Sequence, residues 1–303
     1  MRIFAAKFIF MKKLLFLLLT ACLMVSCSDP NARYVKKAIR IMDKHGLYAQ
    51  GPEWEKAKEE ALATQPASLE EAQQIVMKAG TVAGGKHTFL MTSDEVTGND
   101  TCTTWEMPTV ELLENGIAKI KLPQFMGNDD EGRKYAHTVL DALPSQLQGV
   151  VIDLRGNTGG NMYPMIAAVH RFLPNDVILK FKSRKRTTNI NLTYVLQVAD
   201  VKQQASINCP VALLTDKNTA SSGEAVLICF RGLENTSTFG APTAGYASCN
   251  QTFPLPQGSK LVLTTSEDVA RTGEVFCDDP IEPNNPTETV LEDALQWIQD
   301  QIN

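Results

Sequence analysis

Two stretches of the chain carry groups that could do chemistry. The first runs Asp216-Lys217-Asn218-Thr219-Ala220-Ser221-Ser222-Gly223-Glu224 and follows an apolar run at 211–214. A strand ending near Asp216 and a helix starting near Thr219 would set Ser221 in a first helical turn. The N–H groups there lack intrahelical acceptors, and the helix dipole is positive. A serine nucleophile needs that setting, together with a base for its proton and N–H groups for the oxyanion. The same pattern also suits a plain helix start in which Thr219 or Ser221 is only the cap. The second stretch, 149–160, reads Gly-Val-Val-Ile-Asp-Leu-Arg-Gly-Asn-Thr-Gly-Gly. Its glycines 156, 159 and 160 stand between an apolar strand pattern and a helical one. Bare backbone there can approach a ligand and present N–H groups to an anion. The stretch matches neither Gly-x-x-x-x-Gly-Lys-Ser/Thr nor Gly-x-Gly-x-x-Gly, so it is not a phosphate loop or a dinucleotide fingerprint. By itself it is equally a tight strand-to-helix turn.

The candidate bases are four histidines. Imidazole titrates near neutral pH and suits proton transfer. His45 and His137 lie on helical patterns, and His170 lies in the helix predicted after the glycine turn. His87 follows Gly84-Gly85-Lys86, and residue type alone does not set it above the others.

The elements that must position these groups follow from periodicity. Residues 28–80 form helical patterns, with Pro52 near one first turn and a capping box at Ser68-Leu69-Glu70-Glu71. Asn115-Gly116 signals a hairpin. Beyond it, apolar strands at 149–155, 176–181, 210–216 and 259–265 alternate with helical patterns at 161–173 and 221–231, and an amphipathic helix closes the chain at 288–302. That alternation predicts an α/β core with crossover connections. The 303 residues, 44% apolar and 21% charged, are enough for one large core or two smaller ones and argue against global disorder.

The first residues have the composition of an export leader. Lys12 and Lys13 precede an apolar run too short to span a bilayer, and Met11 opens the more usual leader sequence. The end, Met24-Val25-Ser26-Cys27-Ser28, looks like a bacterial lipobox. It predicts removal of 1–27's leader portion and lipidation of Cys27, with an ordinary signal peptide cut near Ser26 as the alternative. The leader holds four of the 29 basic residues and none of the 34 acidic ones, so the rest carries 25 basic against 34 acidic residues. Such a surface does not attract nucleic acid. Beyond Cys27 the cysteines are 102, 209, 229, 249 and 277, an odd number in a compartment that permits disulfides. Cys209 and Cys229 sit in apolar runs and are expected as buried thiols, whereas Cys249 and Cys277 lie in polar segments and could bridge. No Cys-x-x-Cys pair suggests a zinc knuckle, and no metal or organic cofactor is expected.

Taken together, the two stretches resemble the tail-specific (C-terminal-processing) serine protease family, including its tricorn-core and retinoid-binding branches. Members carry D-x-R-x-N-x-G-G and T-A-S-x-x-E segments. Asp153, Arg155, Asn157, Gly159, Gly160, Thr219, Ala220, Ser221 and Glu224 match them. The family's G-x-x-T-x-G is met by Gly240 through Gly245, and Pro280-Ile281-Glu282-Pro283-Asn284 echoes a later G-(I/V)-x-P-D element. The resemblance spans about 80–290. It implies a crotonase/ClpP-like α/β core of stacked βαβ units over 81–303, preceded by a small helical region at 28–80. It makes Ser221 the nucleophile and the N–H groups of Ser222 and of Gly159 or Gly160 the oxyanion donors. Where the serine–lysine branch has its lysine, this chain has Tyr246, whose phenol (ordinarily near ~10) is a poor base at neutral pH. The tricorn-like branch uses a histidine in a G-x-H-(S/T) segment, which points to His87. The orienting acid of that branch falls at Cys277, leaving Asp278 or Glu274 as substitutes, and Lys86 stands where a hydroxyl residue is usual. A Cys249–Cys277 bridge would fix the loop carrying Tyr246. Only 34 residues separate Gly80 from the Asn115-Gly116 turn, too few for an inserted PDZ domain, which needs about 50. The implied function is a serine peptidase of the bacterial cell envelope, lipid-anchored and acting on peptides or proteins. The alternative is a weak or inert binding module on the same fold.

Overall fold

The computed structural model describes residues 29–96 and 105–303, so the expected leader, Cys27 and Cys102 lie outside the described residues. Three helices come first: α1 (Pro30–His45), α2 (Gly51–Ala63) and α3 (Leu69–Gly84). Asp29 caps α1 by accepting from the Asn31 N–H, with Pro30 in the first turn, where its missing N–H costs nothing. Ser68 Oγ accepts from the Glu71 N–H at the start of α3. Glu71 returns its bond to the Ala67 N–H rather than to Ser68, so the expected capping box is made on one side only.

Two sheets follow. The first contains β2 (Thr109–Leu112), β3 (Ile117–Lys121), β4 (Gly149–Asp153), β7 (Val211–Thr215), β8 (Thr236–Gly240) and β12 (Asn285–Pro286), in spatial order β12-β8-β7-β4-β3-β2. All neighbours are parallel except β2, which returns against β3 through a three-residue turn where Asn115 and Gly116 both take positive φ. Every residue of β4 and β7 is buried because both faces of the sheet are covered. Val150, Ile152, Val211 and Leu213 pack towards α4 (Asp129–Leu140), α5 (Met162–Ala168) and α7 (Ser222–Phe230). The alternate residues Val151, Ala212 and Leu214 pack against Ala294 and Ile298 of the closing helix α8 (Val290–Ile302). The helix expected over 161–173 stops at Ala168 and continues as a 3₁₀ turn at His170–Phe172. A short helix, α6 (Leu192–Val198), precedes β7.

The second sheet is antiparallel and built around β10 (Lys260–Val269). β1 (Phe89–Met91), β5 (Val177–Lys182), β9 (Ser248–Pro254) and β11 (Val275–Phe276) pair with it, and β6 (Thr187–Asn191) extends it beyond β5. Leu261 and Leu263 of β10 pack into the α1–α3 cluster with Val35, Ile39, Met42, Val76 and Ala83. The protein is therefore a mixed α/β structure with an N-terminal helical layer. The glycine turn, the serine turn and the α3–β1 connection all reach one cleft between the sheets.

Cys209 and Cys229 are buried free thiols, as expected. Cys249 and Cys277 are also free, so the bridge weighed from sequence is not made. Cys277 Sγ instead lies 3.0 Å from the Tyr48 hydroxyl, while Cys249 borders a cavity with Asp268.

Candidate active site

The two motif turns are stitched together by backbone and short polar side chains. Asn157 is fully buried. Its Nδ2 donates to Leu122 O, its Oδ1 accepts from the Gly159 N–H at 2.9 Å, and its carbonyl accepts from the Ala220 N–H. Thr219 Oγ1 donates to Leu154 O, and Asp216 Oδ1 accepts from the Gly156 N–H. The charged pair of the glycine motif is internal to it: Arg155 grips Asp153 through Nε and an η nitrogen at 2.9 and 2.8 Å. That fork holds the Asp153 carboxyl below its usual range despite burial.

Ser221 is held between these turns with φ +53 and ψ −115. An ordinary N-cap is extended; a non-glycine residue in this region is strained and persists only where its surroundings fix it. The fixing group is Glu224, which is fully buried. Its carboxylate accepts from the N–H groups of Ser221 (2.8 Å), Tyr246 (2.8 Å) and Gly245 (2.9 Å), and from the Thr243 hydroxyl. Burial pushes the Glu224 carboxyl up, opposed by these four donors. Glu224 thus joins the serine turn to the Gly240–Gly245 loop.

Gly159 and Gly160 take φ +111 and +105. A Cβ on Gly159 would lie 2.7 Å from Ser221 Cβ, 3.1 Å from Ser221 Oγ and 3.2 Å from the Ser222 nitrogen. The space beside the serine hydroxyl exists because position 159 has no side chain. Of the expected oxyanion donors, the Gly159 N–H is spent on Asn157. The Gly160 N–H has no hydrogen-bond partner among the described residues, and Ser222 stands at the first position of α7, where N–H groups lack intrahelical acceptors. Gly160 is pinned by Phe125, which accepts from the Asn161 N–H and donates to Gly159 O.

His87 enters from the other side. Gly85, with φ +72, ends α3 and turns the chain so that His87 and Ser221 line one cleft of about 720 Å³, with Gly159, Gly160, Phe125 and Tyr246. The ring Nδ1 pairs with Ser248 Oγ at 2.9 Å, and Asn250 Nδ2 donates to His87 O. Tyr246 meets the ring edge-on at 5.3 Å, and the Lys86 ammonium sits 4.5 Å over the Tyr246 ring. Among the described residues His87 and Ser221 share no direct hydrogen bond; such bonds commonly tighten only with substrate. Burial, and then the Lys86 charge, push the imidazole down to about 4, with Ser248 opposing. The ring is neutral at pH 7. Lys86→Gln is expected to move the acid limb of the kcat/KM profile to higher pH, because removing a neighbouring cation eases protonation of His87. A pH–rate series on both proteins checks this.

The two candidate orienting acids are engaged elsewhere. Glu274 is exposed and paired with Arg231 through both carboxylate oxygens, and Asp278 Oδ2 accepts from the Tyr48 hydroxyl at 3.0 Å. The group actually holding His87, Ser248, escaped sequence reading. It lies 161 residues away on β9, and only the register of that strand against β10 brings it there. The other histidines have structural surroundings. His170 is buried with Nδ1 on Ala167 O and Nε2 accepting from the Gln204 N–H; His45 stacks on Phe253; half-buried His137 faces Asp141.

The model of peptidase family S41 matches residues 116–287. A nisin-resistance protein of Lactococcus lactis subsp. lactis is 31% identical over 283 residues, covering 89% of this chain and 87% of that protein. A carboxy-terminal processing protease of Bacillus subtilis is 23% identical over 54% of this chain and 33% of its own length. The solved structure of a lipoprotein from Streptococcus agalactiae superposes with a TM-score of 0.81 at 28% identity, covering 90% of this chain and 97% of that one.

Proposed function

We propose that this chain, which belongs to peptidase family S41, is a serine peptidase of the bacterial cell envelope with Ser221 as nucleophile and His87 as general base. The observation that carries the reading is the strained Ser221 at the start of α7, facing a cleft that it shares with a neutral, anchored imidazole. In this scheme Ser221 Oγ attacks a peptide carbonyl while His87 takes its proton. The N–H groups of Gly160 and Ser222 hold the oxyanion. The C–N bond breaks as the imidazolium returns the proton to the leaving amine, and water then releases the acyl group by the same steps. Ser248 orients the ring in place of a carboxylate.

The proposal extends to the ends of the chain. The segment 1–27 is read as a leader ending at a lipidated Cys27, 28–80 as a helical region and 81–303 as the catalytic region. The lipoprotein from Streptococcus agalactiae and the nisin-resistance protein support an envelope location. No helix among the described residues is long and apolar enough to cross a membrane. One observation favours the rival reading of an inert peptide-binding module: a hydroxyl rather than a carboxylate holds His87. The test is digestion of a peptide library by wild type and Ser221→Ala. Cleavage by wild type that the variant lacks is the expected result. Equal cleavage by both, or none by wild type, contradicts the peptidase reading.

A further inference from the structure

Beside Ser221 a second cavity of about 210 Å³ opens, lined in part by Ser248 and Asn250, which also hold His87. Ser221, Ser222, Gly160, Tyr163, Phe181 and Asp268 are among the residues that line it. Asp268 is 2% exposed, and its Oδ1 is shielded from solvent without a hydrogen-bond partner among the described residues. No salt bridge reaches it among the described residues, and the charge acting on it most directly is another acid, Glu224. An ionised carboxylate buried without a partner is costly and is normally found paired or neutralised. Here burial, and then the Glu224 charge, push the acid up to about 8.

We infer that this cavity is the subsite for the residue whose carbonyl is attacked, and that Asp268 selects a cationic side chain there, lysine or arginine. The inference rests on the peptidase reading and deepens it. The choice of residue follows from the lining that the cavity shares with the serine turn. A carbonyl oxygen held at Gly160 and Ser222 places its own residue's side chain against Gly160, Ser221 and Ser222, which line the cavity. Tyr163 and Phe181 would flank the apolar stem, and the head group would meet Asp268, supplying the missing counter-charge and returning the acid to its ionised form. An uncharged side chain of similar length would leave the carboxyl without a partner, which is how a site built around a buried polar group discriminates.

The experiment has two arms. In the first, wild type and Asp268→Asn digest peptides that differ only at the residue before the scissile bond. Wild type is expected to prefer lysine or arginine over leucine by about 100-fold or more in kcat/KM, and D268N to collapse that ratio whatever its absolute rate. In the second, benzamidine binding to Ser221→Ala is measured by calorimetry, where a bound cation should be lost on adding Asp268→Asn. Cleavage that disappears in S221A but shows no preference for cationic residues overturns the inference and leaves the peptidase reading standing. Absence of library cleavage contradicts the peptidase reading, and the calorimetry then decides on the cavity: binding that depends on Asp268 supports a cation site, and no binding overturns it. The wild-type profile and the S221A measurement stand even if D268N does not fold.

Discussion

Replacing His87 by alanine is expected to lower kcat/KM for a cleaved peptide by about 10⁴-fold or more while leaving the fold intact. The size follows from the absence of a substitute. Among the described residues that line the cleft, no second imidazole stands beside Ser221. The Lys86 ammonium is engaged by the Tyr246 face and by Ala244 O. Because His87 is already neutral at pH 7, the loss should not be recovered by raising pH, whereas a merely structural histidine would show its effect in thermal stability. The measurement is kcat/KM across pH with a parallel melting curve. A variant with wild-type turnover would remove His87 from the reaction.

Gly159→Ala is expected to be the second most damaging change. The new methyl group falls 3.1 Å from Ser221 Oγ and 3.2 Å from the Ser222 nitrogen, in the space that the proposed scheme gives to the developing oxyanion. The backbone at φ +111 also disfavours any side chain. Activity should fall by at least ~10²–10³-fold, the usual consequence of losing an oxyanion contact. Stability should fall by about 1–3 kcal/mol from the strained backbone. Gly156→Ala separates the two effects. It shares a positive φ of +74 but meets nothing within 4 Å, so it should carry a stability cost without the activity loss. Kinetics and denaturant titration of the two variants side by side check the distinction. Comparable activity losses in both would show that backbone strain, not the space beside Ser221, is what matters.

The parts of this molecule legible in its sequence are those fixed by local chemistry. The apolar runs of β4 and β7 announce a sheet buried on both faces, and the structure buries every residue of each. Asn115-Gly116 announces its hairpin because few other pairs tolerate two consecutive positive φ values. Ser221 and the glycine turn are legible because strand, turn and helix are contiguous in the chain. What the sequence does not reveal depends on contacts between distant segments. Ser248 reaches His87 through the β9–β10 register, and no local pattern marks a serine in a strand as the partner of a ring 161 residues away. Glu224 matches a motif position, but its role as acceptor for the Gly240–Gly245 loop appears only when that loop folds over α7. The choice between Gly159 and Gly160 turns on one side-chain bond from Asn157. Asp268 looks like any polar residue of a long strand until the cavity beside Ser221 is seen.

The central claim, that Ser221 is the residue that bonds covalently to substrate, is tested most directly by fluorophosphonate labelling of the full chain followed by peptide mass mapping. A single phosphonyl adduct on Ser221 is expected, absent from Ser221→Ala and strongly slowed in His87→Ala. An adduct on Ser222, or no adduct on a protein that nonetheless cleaves peptides, would contradict it.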